Sequence, residues 1–491
     1  MRSVAIITVF SVLTRSIGFF FKIFLSRSLG AEMMGVYQVG FSFFILLLAI
    51  TSSGVPLVVS AKSAQIPYGT KNNSIVSAGL IISATTTAAL IAAVLLLRRA
   101  LPFLFADGAS MLVLYSLLPA VFFAAAGGSF QGAVWGKQSY LAVSASELTE
   151  QVVRVSVCVA CFFFTEDLVV RARLAAGALS VATGVSAAVM FVVYCKQGGR
   201  LGRPKGELVP LIKSAAPISV MRVMSCVISS LIAIIIPNRL IAAGMDAASA
   251  MTAYGAGVGM AMSFITSPLT LTGSLSMALV PEISAALSRG HMKTVRGRVE
   301  KAISFAVVIP LLLMPVFLVL GREAGVFVYD NAASGDFLRK AAILMLPMAV
   351  EQLTSSVMNS LALERKAFRN FLIGMAALIA VIWFLPAYIG IDALIVGMFC
   401  SYTVSAVLHI FTIRKKIGLK FTFLKPMFFM FLFMLPAGAA GYLTHRIIEN
   451  FAGIATVLIG AGVILSAMVL LLFCFDVVDL SGFMIKRKEK S

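Results

Sequence analysis

Ser11, Arg15, Gly18, Lys22 and Ser26 recur at intervals of four, three, four and four near the N-terminus. That spacing puts them on one face of a helix. A guanidinium and an ammonium on such a face are anion-binding chemistry, because Arg forks onto phosphate or carboxylate and Lys adds a compact charge. Further along, Glu147, Glu150, Gln151 and Arg154 crowd one apolar stretch, and Arg222 stands in a later one. Glu351-Gln352 then head a polar strip through Ser355, Ser356 and Asn359. An ionisable group at the centre of a membrane helix costs about 2.5–3.5 kcal/mol on insertion scales, so such groups face a cavity or a partner.

Arg15 lies about 11 residues, or roughly 16 Å, into its apolar run, too deep for snorkelling to explain it. We take Arg15, Lys22 and Arg222 as candidate substrate-binding residues. Glu147, Glu150, Arg154 and Glu351 are candidates for coupling or gating. Glu150 and Arg154 also form an i,i+4 pair, and a plain internal ion pair is the competing reading. Glu351 could equally neutralise Arg222 or Arg15. Glu282, beside Pro281, reads as interfacial. Four cations against three carboxylates make a cavity that attracts phosphate or pyrophosphate groups. A pump for cationic drugs would want the opposite sign.

Enzymatic chemistry finds little footing. His291, His409 and His445 are far apart in sequence and are expected in loops or near helix ends. There is no P-loop, no metal-spaced His/Glu set and no Gly-x-Ser-x-Gly, so neither an ATP motor nor a cofactor or metal is expected. A glycan-polymerising enzyme would need external acids, and Asp330 and Asp336 are the pair available. Cys158-x-x-Cys161 sits among apolar residues and reads as packed thiols, with no disulfide framework.

The elements that must position these residues are membrane helices. The 491 residues are 60% hydrophobic and 12% charged, about half the charge of a soluble protein. Spans are placed at 4–26, 37–60, 75–97, 110–131, 140–164, 174–195, 214–237, 253–281, 302–320, 341–362, 370–389, 393–412, 426–444 and 453–475, each long enough for the hydrocarbon core. The run beginning at Arg2 passes Arg15 and Lys22 without a cleavage site and is a retained first helix, not a signal peptide. Twenty-six Lys and Arg residues fall on one side of these spans and ten on the other. The positive-inside rule makes the richer side cytoplasmic and places both termini there. The net charge of +20 is therefore topology in a cell (inner) membrane, not a nucleic-acid footprint.

An internal repeat organises the spans. Leu118-Pro119, Gln131 and Tyr140 match Leu346-Pro347, Asn359 and Phe368 at one constant displacement, without a gap. The expected architecture is all-α and polytopic. It comprises an N-terminal lobe (1–200, spans 1–6), a C-terminal lobe (206–413, spans 7–12), spans 13–14 (426–475) and a basic cytoplasmic tail (476–491). A Gly-rich basic linker joins the lobes. Duplicated lobes are a common scaffold for alternating access around a midplane site.

The strings Leu13-Thr14-Arg15-Ser16-Ile17-Gly18-Phe19, Leu25-Ser26-Arg27-Ser28-Leu29-Gly30-Ala31-Glu32 and Gly35-Val36-Tyr37-Gln38 resemble the opening of the stage V sporulation protein B family. These are polysaccharide-biosynthesis flippases of the MOP (MATE-like) superfamily. Ser53-Gly54-Val55-Pro56, Ser60-Ala61-Lys62, Ile236-Pro237-Asn238-Arg239-Leu240 and Leu279-Val280-Pro281-Glu282-Ile283-Ser284 fit the same pattern. The resemblance implies fourteen helices, a V of two lobes and export of a polyprenyl-linked saccharide, a peptidoglycan precursor for the spore cortex. It also implies that basic residues of the first helix line the cavity, and Arg15 and Lys22 match those positions. Spans 13 and 14 would form a groove for the lipid tail. Lys137-Gln138-Ser139 departs from the Gly-Lys-Pro-like turn of relatives. Coupling to H+, Na+ or membrane potential stays open, and a cation-coupled drug exporter of the same superfamily is the alternative within transport.

Overall fold

The structure, a computed structural model, describes residues 2–52, 54–65, 73–204, 206–421, 424–448 and 454–474. The basic tail 476–491, Lys71, Lys205 and Ser53 lie outside them.

Helices carry the described chain. They are α1 (Arg2–Ser52), α2 (Val55–Ala64), α3 (Asn73–Leu96), α4 (Gly108–Gly136), α5 (Tyr140–Phe162), α6 (Leu168–Lys196), α7 (Leu208–Ala242), α8 (Ala247–Tyr254) and α9 (Met262–Ser288). They continue as α10 (Met292–Tyr329), α11 (Ala332–Ala341), α12 (Met345–Ser360), α13 (Glu364–Phe384), α14 (Pro386–Ile389), α15 (Asp392–Ile417), α16 (Leu424–Ile448) and α17 (Ile454–Cys474). Lipid leaves no solvent for unpaired backbone groups, and helices satisfy theirs internally. Eleven stretches among the described residues are long and apolar enough to cross a membrane, so the chain is an all-α, multi-pass membrane protein.

The first of those stretches, 10–64, has the length of two spans. Its break is at Gly30, whose φ of 71° lies in the left-handed region that an L side chain avoids. α5 is also 23 residues long, but Glu147, Glu150 and Arg154 dilute its apolar character.

The fold packs as two compact units, Met1–Met260 and Ala261–Ser491. In the first, α4 packs on α1, α2 and α6, and α7 lies against α1, α2 and α3. Its core joins Val59, Val76, Phe130, Val134 and Leu211. In the second, α13 pairs with α15, α12 with α9, and α16 with α17 and α10. Val295, Val299, Ile303, Leu353, Met358 and Ile413 form a core there.

The packing boundary falls after α8, at Met260, whereas the repeat puts the junction near 201–205. Contacts explain the difference. The Tyr194 hydroxyl donates to the Arg200 carbonyl (3.2 Å), the Gly202 N–H donates to Ser77 Oγ (2.9 Å), and Lys62 pairs with Glu207 at 2.7 Å. The basic linker is pinned to the first unit, and α7 follows it there.

The two turns that close the repeated hairpins follow a different register from the sequence match. The turn after α4 has Gln138 at φ 60°, and the turn after α12 has Ala362 at φ 55°. Around Gln138, Gln138 N–H bonds Trp135 O, Ser139 N–H bonds Val134 O, and Ala142 and Val143 N–H bond Ser139 O. Around Ala362, Ala362 N–H bonds Asn359 O, Leu363 N–H bonds Met358 O, and Lys366 and Ala367 N–H bond Leu363 O. Every bond corresponds when Gln138 is laid on Ala362. The sequence match, which laid Leu118 on Leu346, is one helical turn out of that register. Apolar helices tolerate a slide of about 3.6 residues with little change of pattern.

Candidate functional site

The polar face of α1 turns toward α5. A Cβ on Gly18 would lie 3.7 Å from Gln151 Oε1. Phe24 stacks on Phe162 with centroids 5.8 Å apart. Between these contacts lies a charged seam. Arg154 Nη2 donates to Tyr37 Oη at 2.8 Å, and its guanidinium stands 4.7 Å over the Phe21 ring. Arg154 Nε is buried without a hydrogen-bond partner.

Arg15 is within Coulombic reach of Glu147, and Lys22 of Arg154. Glu150 accepts from the Ser186 hydroxyl and feels both Arg154 and Glu147. The structure thus gathers Arg15, Lys22, Glu147, Glu150 and Arg154 from two helices, α1 and α5, that are far apart in sequence. Three cations and two carboxylates share the seam. The Glu150–Arg154 ion pair of the competing reading is not formed among the described residues. Arg154 instead reaches across to α1, where an aromatic face and a phenol hold it.

Arg222 sits elsewhere. It lines a cavity of about 880 Å³ with Ser225 and Cys226 of α7, Gln131 and Trp135 of α4, and Ser60 of α2. That volume is ligand-sized. The cavity depends on close helix approach: any Cβ on Gly132 would lie 3.0 Å from Pro56 Cα and still closer to the Pro56 carbonyl oxygen. Gln131 belongs to both places, because its Nε2 donates to Glu147 Oε1 at 3.2 Å. One amide therefore links the cavity wall to the charged seam.

Glu351 lies in the second unit, half-buried on α12 and within Coulombic reach of Tyr402 on α15. His409 corrects the sequence expectation. It lies well inside α15, fully buried, with Nδ1 3.3 Å from Thr354 Oγ1 and Nε2 3.4 Å from the Ala367 carbonyl. Its apolar neighbours, Val407, Leu408, Ile410 and Phe411, were the overlooked signal. Tyr37, Gln131 and Trp135 also escaped notice as site residues. None carries charge, and only packing shows what they touch.

Glu282 and Asp336 have salt-bridge partners. Glu282 pairs with Arg298 at 3.4 Å and is exposed. Asp336 meets Arg322 at 3.8 Å, and Asp330 ends α10 in a left-handed conformation. Asp336 thus ties α11 to α10, and Asp330 caps the end of α10. Cys158 and Cys161 are free thiols, the first buried.

No family model matches the chain. Stage V sporulation protein B of Bacillus subtilis (strain 168) is 23% identical over 432 residues, covering 84% of this chain and 83% of that protein. Among solved structures, the lipid II flippase MurJ in an inward closed conformation superposes with a TM-score of 0.75 at 12% identity, covering 96% of this chain and 98% of that one. An inward-facing multidrug resistance MATE family transporter of the MOP superfamily gives 0.67 at 14% identity, covering 82% and 94%. With both structures matched over most of their length, this chain has the fold shared by MurJ and that MATE family transporter.

Proposed function

We propose that the chain flips a polyprenyl-pyrophosphate-linked saccharide, a peptidoglycan precursor for the spore cortex, across the cytoplasmic membrane by alternating access. The single observation behind this reading is the basic seam joined through Gln131 to a cavity bearing Arg222. Net positive charge in a polar site suits a pyrophosphate. The likeness to a sporulation protein and to a lipid II flippase supports the saccharide and the setting.

In this reading the chain has fourteen spans in two six-helix lobes, 1–200 and 206–413, with both termini cytoplasmic. Arg15, Lys22 and Arg222 bind the pyrophosphate. Glu147, Glu150 and Arg154 shift their contacts as the site opens, and Glu351 serves coupling to H+, Na+ or the membrane potential. α16 and α17, which pack on each other and on α10, hold the prenyl tail.

Proteoliposomes loaded with fluorescent lipid-linked precursor test the proposal. Protein-dependent access of an impermeant quencher to the inner-leaflet pool is expected. Equal quenching with and without protein overturns it. Efflux of cationic dyes by the same vesicles would favour the drug-exporter alternative, and product formation from the precursor would favour a polymerising enzyme.

A further inference from the structure

A second concentration of charge lies in the second unit, apart from every residue assigned above. Lys366 and Arg369, from the first turns of α13, and Lys415 and Lys416, from the last turn of α15, surround a pocket of about 270 Å³. Leu363 and Thr412 complete its lining, and no carboxylate is among them. The volume is several times the roughly 30 Å³ of a water, enough for a compact anion.

The neighbouring acids are committed elsewhere. Glu300 accepts the Lys420 N–H at 2.8 Å, and Glu282 pairs with Arg298. Glu364 heads α13 but does not line the pocket. Among the described residues, none of the four cations makes an ion pair. Nearby basic groups do find partners: Arg414 stacks on Phe421 at 4.7 Å, and Arg296 Nε donates to the Ile417 carbonyl at 3.0 Å. That Arg296 contact also blunts the negative end of the α15 dipole, while the positive end of α13 adds to the field. The floor is ordered, since the Thr412 hydroxyl donates to Leu408 O and accepts from buried Asn370.

The fold does not demand these charges. In the register that lays Gln138 on Ala362, the counterparts of Leu363, Lys366 and Arg369 are Ser139, Ala142 and Ala145. There a neutral hydrogen bond, Gln197 Nε2 to Ser139 Oγ at 2.9 Å, joins the end of α6 to the start of α5. Exposed lysines scattered over the turn would satisfy the positive-inside rule equally well. Convergence on one pocket asks for a ligand.

Apolar surface says which kind. One turn farther along α13, Leu372 and Ile373 are exposed, and one or two turns back along α15 so are Phe411 and Val407. A polar anion pocket thus continues into an outward apolar stripe on both helices, the layout of a phospholipid with its head fixed and its chains alongside. We propose that this pocket binds the phosphate headgroup of an anionic phospholipid, whose acyl chains lie along α13 and α15. Basic pockets at helix ends are suited to such lipids. The inference does not depend on the transport reading.

Native mass spectrometry of the full chain, released from vesicles of equal phosphatidylglycerol and phosphatidylcholine, tests it. Wild type is expected to retain phosphatidylglycerol at least tenfold over phosphatidylcholine. Lys415→Gln/Lys416→Gln should lose most of that preference, and adding Lys366→Gln and Arg369→Gln should abolish it. Arg365→Gln/Lys420→Gln removes two charges outside the pocket and should leave it intact, which separates the site from general charge and from misfolding. Equal retention of the two lipids overturns the proposal, as does an equal effect of the outside pair. Displacement by millimolar inorganic phosphate would mark a free-anion site and overturn the lipid assignment.

Discussion

The turns at Gln138 and Ala362 share a backbone and almost nothing else. The same hydrogen bonds close both, yet the helices that follow carry opposite chemistry. Glu147, Glu150 and Arg154 of α5 correspond to Phe371, Gly374 and Leu378 of α13. α5 uses those positions for a charged seam with α1. α13 uses them for packing, with Leu378 only 2% exposed and Gly374 pressed against Ser401 and Ser405 of α15. Conversely, Lys366 and Arg369 beside Ala362 have the neutral counterparts Ala142 and Ala145 beside Gln138. A hairpin of this kind is held by its backbone bonds and small-residue contacts, so side chains outside those contacts are free to diverge. One copy received charges in its interior and the other at its end.

The comparison can be broken most forcefully by changing the charged seam on one side and the packed helix on the other. Arg15→Ala is expected to give the largest loss of flipping, since it removes the cation that faces Glu147 at the seam, with membrane insertion unchanged. Full complementation by that variant would remove Arg15 from the site. Leu378→Ala should do the reverse, destabilising the second unit by about 2–5 kcal/mol while the protein that remains folded transports normally. Thermal unfolding beside vesicle flux separates the two behaviours.

Gly374→Ala should cost about 1–3 kcal/mol through overpacking, because a Cβ there comes within 2.7 Å of the Ser401 carbonyl. Its counterpart Glu150→Ala should alter transport without a comparable fall in melting temperature. Equal melting shifts at both sites would mean that the seam is packing after all. Tyr37→Phe removes the phenol that holds Arg154 and is expected to reduce flux about tenfold, since a hydrogen bond to a charged group is worth about 1.5–3 kcal/mol. The smallest effect is expected at Lys62→Ala. Its half-exposed pair with Glu207 should contribute about 0.2–1 kcal/mol, weakened further by salt.

Much of this architecture is legible in the residues themselves. Low charge and long apolar runs dictate a multi-pass helical protein, because lipid admits little else. The spacing from Ser11 to Ser26 put Arg15 and Lys22 on one face, and that face does meet α5. Other features were out of reach. Apolar helices conceal their register, so Pro119 and Pro347 aligned one helical turn away from the match that the turns obey. His409 was misplaced because a lone histidine in an apolar run carries no signal of its partners. Arg154 was given Glu150 as the nearest charge along its own helix, although Tyr37 from another helix is the group it touches.

Sequence alone therefore determined the solvent of this protein, its helical class and which residues are too polar for lipid. Only the tertiary structure decided which of those residues meet, that Gln131 joins cavity to seam, and that four cations beside Ala362 converge on one pocket. The physical reason is range: periodicity and hydropathy act within a single helix, while a charged group's partner is chosen across helices that packing alone brings together.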